Sequence, residues 1–510
     1  MGYVHPDINA RVLIIKADTA PENTILEYSA DPIPGSESIA AKTVNISVQK
    51  NGIRAVDNES GLELSIMSSR PVRAGEGFSF FCDMSGTIVL VCGCGDSGKL
   101  QQLADEYTAE AGLQRTKQYW RALSGFISVQ TPFPELDSYI NGWCIYQSLA
   151  CRILGRCSQY QSGGAFGFRD QLQDVCALTP AFPGLAELQI LSACAHQYEE
   201  GDVMHWWHVG RGEDNDRGVR TRCSDDMLWL PFAVSRYCNV TGDLKILEKS
   251  SCWLISSPLE VHEADRYEQA VPSERESSIY DHCMASFGIV QQRGTGKHGL
   301  LLIGTGDWND GFSRVGAGGL GESVWLTWFA SLAADTFSRL CSHTGRERDA
   351  QHLRELAHIW AKAADESWDT DRYLRGYFDD GSALGAGENE ECRIDSIAQS
   401  FAVLSGMADG DKCVKALETA FRELYDSENA LTRLFTPPFD SGSTDPGYIR
   451  SYIPGVRENG GQYTHAAIWL AIALLRIDRR EEATRLLLSM LPSSRDDSVY
   501  MVEPYVLAAD

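Results

Sequence analysis

The 510-residue sequence predicts a mainly α protein: an (α/α)6 barrel preceded by a partial antiparallel β-sandwich region. Three observations predict it. Residues 41 to 92 alternate apolar and polar side chains in short stretches separated by turns such as Asn51-Gly52, the period of half-buried strands. From about Lys99 the period becomes helical, and amphipathic or wholly apolar helical stretches then recur to the end of the chain. The connections between them are often about 20 to 40 residues long and crowded with Gly, Asp, Trp, Arg and His, which in a compact domain marks functional loops.

In chain order, strands are read in Thr43 to Val48, Leu62 to Ile66 and Thr87 to Val91. Leu100, Leu103 and Ala104 open the helical pattern, and Tyr119, Trp120 and Leu123 continue it. Helices follow at Ser138 to Leu154, Leu185 to Gln197, Met227 to Tyr237, Ser323 to Leu340, Ala350 to Ser367, Ile397 to Ser405, Val414 to Tyr425, His465 to Leu475 and Glu481 to Met490. Helices joined alternately by short and long loops, some apolar on most faces, fit a double ring whose inner ring is buried. The resulting division is 1–95 β-sandwich region, 96–125 helical linker and 126–510 barrel. No repeat of fixed period supports a solenoid.

Composition narrows the function. Forty-five basic against 70 acidic residues leave a formal charge of −25, which argues against nucleic acid or an anionic membrane surface as partner. Fifteen cysteines without a C-x-x-C pair read as reduced thiols rather than as a disulfide framework or a zinc site. No signal peptide pattern opens the chain and no apolar stretch approaches a membrane span, so the expected location is cytoplasmic.

Five loop clusters carry candidate chemistry: Tyr160 through Asp174; His205-Trp206-Trp207-His208; Arg217 through Asp226; Gly304 through Gly311; and Arg457 through His465. If a barrel gathers them at one rim, carboxylates, arginines and indoles line one pocket. Asp307 to Gly311 also reads as an Asx-turn loop capping a helix, and it does not match a calcium loop. His205 and His208 have a spacing metals use, but the sequence places no third ligand, and the tryptophans between them suggest stacking; no metal is expected. Gly316 to Gly321 matches G-x-G-x-x-G without a strand to deliver it, so it reads as a lid or hinge rather than a dinucleotide site. Asp225-Asp226 and Asp379-Asp380 read as solvated or capping pairs. Arg217, Arg220 and Arg222 suggest a held anion or carboxylate.

Gly167 to Asp174, the stretch from His205 to Pro231, Gly306 to Gly311, Gly321 to Trp325, Arg393 to Ser400 and Pro454 to His465 strongly resemble glycoside hydrolase family 94, the family of cellobiose, chitobiose and 1,2-β-oligoglucan phosphorylases. The resemblance runs from about residue 100 to the last residue, with six motifs in order. It is closest to 1,2-β-oligoglucan phosphorylase and to the phosphorylase-like domain of cyclic β-1,2-glucan synthases. It implies inverting phosphorolysis of a β-glucosidic, β-1,2-linked gluco-oligosaccharide to α-glucose 1-phosphate. Phosphate is then the co-substrate and no other cofactor is needed.

By similarity, Asp310 is the acid that protonates the leaving oxygen, so it must hold a proton near neutral pH. Trp308 lies against the sugar at the cleaved bond. Arg169 and Asp170 grip the hydroxyls of that glucosyl unit, Glu458 and Gln462 bind sugar, and Arg156 and His465 hold phosphate. A partner subunit closes the site in some members, so a homodimer fits. Against the family pattern the chain looks cut down at both ends, without the Thr-Gly pair that completes the phosphate site. Two alternatives stay open: an inverting hydrolase of the same fold, with Glu458 as base, and a non-catalytic glucan-binding or chain-length-controlling domain of a larger synthase.

Overall fold

A computed structural model describes residues 1–17, 24–29, 44–58, 61, 63–84, 86–155, 164–210, 215–260, 263–501 and 507. Arg156, the Tyr160 to Gly163 segment and Leu62 lie outside the described residues. The chain divides into two units, Met1–Ile127 and Ser128–Asp510.

In the first unit, strands β1 (Gly2–Val4), β2 (Ala10–Lys16), β3 (Ile25–Ser29), β4 (Val44–Gln49), β5 (Gly52–Asp57), β6 (Glu63–Ser68), β7 (Arg73–Ala74), β8 (Ser79–Asp83) and β9 (Thr87–Cys94) pair antiparallel. They make a six-stranded sheet in the order β1-β2-β9-β6-β5-β4 and a three-stranded sheet β3-β8-β7. β9 explains its own unbroken apolar run. Successive side chains point to opposite faces, so Ile88 and Leu90 pack towards β8 with Phe80 and Cys82. Val89 and Val91 pack on the other face with α1 (Ser97–Leu103) and α2 (Glu106–Ser124). The stretch read as a linker over 96–125 therefore folds into two helices packed on this sheet, and Tyr3 Oη donates to Ala109 O at 2.7 Å.

The second unit opens with a helical run over 134–154 that passes through two π-helical segments, Tyr139–Trp143 and Ser148–Leu154. Among the described residues, ten helices of ten residues or more follow: α3 (Phe168–Leu178), α4 (Pro183–Cys194), α5 (Trp229–Thr241), α6 (Ile279–Arg293), α7 (Val324–His343), α8 (Glu347–Glu366), α9 (Ser396–Ser405), α10 (Gly410–Leu424), α11 (Thr464–Arg476) and α12 (Arg480–Ser489). The odd-numbered helices from α3 to α11 pack each on the next and form the inner layer. Every residue of α9 is buried, and α7 buries Trp325, Trp328 and Phe329 on different faces. Outer helices bury one stripe only, as α8 does with Ala350, Leu353, Ala357, Trp360, Ala361 and Ala364 at helical spacing.

The sequence reading overstated helix. Helix makes up 44% of the chain, and β ribbons fill the long connections, including β10 (Phe166–Gly167), β11 (Met204–His208), β12 (Arg217–Thr221) and β13 (Ser250–Ile255). The glycine run at 316 to 321 is not a free lid or hinge. The Asp379 carboxylate accepts the N–H groups of Gly318 at 2.6 Å, Leu320 at 2.8 Å and Gly321 at 2.9 Å, so the anion cradle is filled from within. Among the described residues the cysteines are free thiols, and no helix is long and apolar enough to cross a membrane.

Candidate active site

The inner helices point their N-termini at one rim, and the motif residues sit on them. Arg169 and Asp170 lie in the first turn of α3. Asp225 and Asp226 precede α5, and the 307–310 loop leads towards α7. Asp395 caps α9 by accepting from Ile397 N at 2.9 Å, and His465 lies in the first turn of α11. Helix N-termini carry partial positive charge, which favours carboxylates and bound anions there.

The Asp307 loop is built from the turns its sequence suggests. Asp307 Oδ1 accepts from Asn309 N at 3.0 Å and Asn309 Oδ1 from Gly311 N at 3.1 Å, two successive Asx turns entered through Gly306 at φ 135°. Asp307 is fully buried. It receives both Arg375 Nη atoms, at 2.6 and 2.7 Å, and Ser323 Oγ at 2.7 Å. Arg375 also reaches Asp395 at 3.3 Å, tying the starts of α7 and α9 together. Burial pushes the Asp395 carboxyl up to about 6 despite that arginine. The turns leave the Asp310 side chain, 38% exposed, as the member of the loop that faces outwards.

Arg169 is the hub beneath Asp310. Its Nη2 donates to Asp310 Oδ1 at 2.7 Å, and its Nη1 to Asp225 Oδ1 at 2.9 Å and to Asp307 O at 3.0 Å. Asp225 and Asp226 are buried, not solvated or capping, which corrects the sequence reading; their charge is matched by Arg169 and His205. Burial raises the Asp225 carboxyl to about 6, against the pull of Arg169. His205 Nδ1 lies 2.7 Å from Asp226 Oδ2, and its Nε2 3.8 Å from Asp310 Oδ2. Burial alone would keep this imidazole neutral, but Asp226 and Asp310 outweigh it and raise its pKa to about 9.

Asp170 accepts from Arg152 Nη2 at 3.2 Å, and Arg152 also holds Asp174. Desolvation would raise the Asp170 carboxyl, yet Arg152 and Arg169 hold it below the usual range. Gly167 makes room for it, since a Cβ there would stand 2.1 Å from Asp170 Oδ2. Trp308 is almost buried and packs edge-on to Tyr463 and His465, at centroid distances of 5.0 and 5.9 Å, and against Trp469 at 5.2 Å. Desolvation lowers His465 to about 4, so its ring is neutral. Glu458 Oε2 stands 3.5 Å from Arg457 Nε. Partial desolvation, then Asp310 and Glu458, push the Tyr448 hydroxyl up, which sets all three at one side of the rim. Gln462 Oε1 accepts from Thr432 N at 2.9 Å, a contact within the protein.

The arginines at 217, 220 and 222 do not converge on a ligand. Arg220 is buried against Asp202 and Glu200, Arg217 reaches Gln269, and Arg222 donates to the carbonyls of Leu259, Glu260 and Glu263. Sequence reasoning missed Arg152, Tyr448 and Arg375 because each sits in a stretch without a motif. The basic residue nearest the end of the first helical run was the available signal for Arg152.

Residues 119–510 match the family model for the catalytic domain of the glycosyl hydrolase 94 superfamily. The chain belongs to this superfamily. Among family 94 relatives it is 44% identical over 406 residues to cyclic beta-(1,2)-glucan synthase NdvB of Rhizobium meliloti (strain 1021), covering 78% of this chain and 14% of that protein. It is 29% identical over 380 residues to solabiose phosphorylase of Paenibacillus borealis, covering 73% and 44%. To N,N'-diacetylchitobiose phosphorylase of Vibrio proteolyticus it is 24% identical over 449 residues, covering 82% and 53%. The family 94 chain thus spans about half or less of each. A bacterial glucoamylase complexed with acarbose aligns with TM-score 0.58 and 10% identity over 96% of this chain and 74% of that one, which shows a shared (α/α)6 barrel fold.

Proposed function

We propose that the chain carries an inverting glycoside phosphorylase site for β-linked, specifically β-1,2-linked, gluco-oligosaccharides, with inorganic phosphate as nucleophile and α-glucose 1-phosphate as product. One observation carries the assignment of the acid. Of the four carboxylates gathered under the rim, Asp307, Asp225 and Asp226 are at most 1% exposed, while the Asp310 side chain is 38% exposed beside Trp308. Of these four only Asp310 is open to a leaving oxygen, and the exposed Asp170 is kept in its charged form by Arg152 and Arg169.

Groups around the rim support a place for the phosphate. His465 is neutral and heads α11, which begins without a side-chain cap, as does α3; Arg152 and Arg169 add charge. Helix N-termini without a side-chain cap, a neutral ring donor and arginines suit a phosphate dianion. The acid role requires Asp310 to deliver a proton to the leaving oxygen while the dianion is bound. The β-1,2 preference rests on the 44% identity to the glucan synthase.

The test is incubation with sophorose-type oligomers, cellobiose and laminaribiose, each with and without phosphate. The expected result is α-glucose 1-phosphate from the β-1,2-linked substrate only when phosphate is present. Equal sugar release without phosphate would make the site a hydrolase, with Glu458 as base. Saccharide binding without turnover would make it a binding domain.

A further inference from the structure

The His205-x-x-His208 pair lacks a third metal ligand in the sequence, and the fold breaks the pair. His208 turns towards Tyr267, its Nδ1 3.5 Å from the Tyr267 hydroxyl. His205 turns inwards and meets two residues from other loops, Cys223 and Asp310. We propose that His205 Nε2, Cys223 Sγ and the Asp310 carboxylate form a three-ligand site for a thiophilic divalent cation of the zinc class, whose occupation silences the acid. The site itself stands on geometry alone; the silencing rests on the reading of Asp310 as acid.

One ligand atom from each residue lies within 4.8 Å of the others. His205 Nε2 stands 3.8 Å from Asp310 Oδ2, and Cys223 Sγ 3.9 Å from Asp310 Oδ1. In tetrahedral zinc, with bonds of about 2.0 Å to nitrogen or oxygen and about 2.3 Å to sulfur, ligand atoms stand about 3.5 Å apart. The first edge runs to Oδ2 and the second to Oδ1, and since one atom of each residue lies within 4.8 Å of the others, side-chain shifts of about an ångström close the triangle on a single carboxylate oxygen. The shell beyond fits too. Asp226 Oδ2 accepts from His205 Nδ1, the carboxylate–histidine arrangement that aims the other ring nitrogen at a metal.

Charge favours a cation. Asp225, Asp226 and Asp310 surround the thiol, three carboxylates against two permanent positive neighbours, Arg169 and Arg293, whose Nη1 donates to Cys223 O at 2.9 Å, and Asp226 Oδ1 is buried without a hydrogen-bond partner. Arg169 occupies Asp310 Oδ1 and leaves Oδ2, on the His205 side, to the metal. Asp310 is the exposed edge, so the cation enters from the substrate side and its fourth position faces there for water or a sugar hydroxyl. Binding releases one proton from the Cys223 thiol and one from the His205 imidazolium. A thiolate and an imidazole select zinc or cobalt over magnesium or calcium.

The test titrates the chelator-treated full chain with Co²⁺ and reads the thiolate-to-cobalt charge-transfer absorption. The expected result is a band saturating at one Co²⁺ per chain, displaced by Zn²⁺ and not by Mg²⁺. It should be absent in Cys223→Ser and unchanged in Cys94→Ser, which removes an exposed thiol. By calorimetry, Zn²⁺ should bind at least tenfold more weakly to Cys223→Ser and to His205→Gln, with folding of each checked by thermal unfolding. A cobalt spectrum in Cys223→Ser equal to that of the unsubstituted chain, or Zn²⁺ affinity unmoved by both substitutions, would overturn the site. Zn²⁺ that binds at this site without slowing product formation would leave the site standing and refute Asp310 as the acid.

Discussion

At the scale of single residues, Asp310, the proposed acid, is set apart from Asp307, Asp225 and Asp226, the three buried aspartates under the rim. Asp310→Asn keeps the shape and the Arg169 contact but cannot deliver a proton. General acid catalysis is worth about 10² to 10⁴ in rate. We therefore expect a fall of about 10³ in kcat for phosphorolysis, with the thermal midpoint essentially unchanged. Asp307→Asn should do the reverse in kind. It strips the charge that Arg375 shares with it in a fully buried pair, leaving Asp395 as the remaining carboxylate at 3.3 Å. Breaking one partner of a buried pair costs about 3 to 5 kcal/mol. Because Asp395 compensates in part, about 3 kcal/mol lost in denaturant unfolding is the expected value. Activity lost equally in both variants with stability lost in neither would remove this division of labour. Asp310, the proposed acid, was singled out in the sequence through its motif. Asp225 and Asp226 were not, because what keeps them buried, Arg169 and His205, arrives from 56 and 21 residues away.

At the scale of elements, legibility follows how each segment buries its surface. α7, α8, α9, α10 and α11 were readable because apolar side chains recur at helical spacing or on all faces. α3 was not, since its first turns hold Arg169, Asp170, Gln171, Gln173 and Asp174, which serve the site and mask the period. α6 was missed because its buried set includes His282 and Ser286, held by Gln197 from another element, although the Ser278–Asp281 capping box marked its start. Strands two residues long within the connections have no period to read. Two element-level outcomes follow. Gly167→Ala, at φ −95°, suits any residue, but its Cβ would displace the Asp170 carboxylate at the start of α3. Stability should move by under about 1 kcal/mol while kcat/KM falls at least about tenfold, the cost of misplacing Asp170 if it grips the sugar as proposed. Asp379→Ala removes the acceptor for three backbone N–H groups. Hydrogen exchange at Gly318, Leu320 and Gly321 should accelerate, with a stability loss of about 1 to 3 kcal/mol. Protection unchanged in that variant would mean that the loop holds its shape without the internal carboxylate.

At the scale of the whole molecule, acid stability is set by buried groups that pull in opposite directions. His282 and His465 are lowered by desolvation from 6.5 to about 4. In the folded state they bind fewer protons than in the unfolded chain, so their contribution is full above about pH 6.5 and is lost as pH falls through about 4. Each is worth roughly 3 kcal/mol across that window. Asp225 and Asp395 run the other way: burial raises them from 3.8 to about 6, so their stabilising protonation is present in acid and is lost as pH rises through about 6. The windows overlap, and the four contributions largely cancel, which predicts a nearly flat stability profile for these groups between about pH 4 and about pH 6.5. Single substitutions unmask the balance. His282→Gln weakens the fold at every pH through its bonds to Gln197 and Ser251, but it should lose roughly 3 kcal/mol less on going from about pH 7 to about pH 4 than the unsubstituted chain. Asp395→Asn should lose more over the same interval, because the term that favoured acid is gone. Denaturant midpoints at the two pH values measure both, and slopes that move in the same direction in the two variants would show that these buried groups do not set the profile.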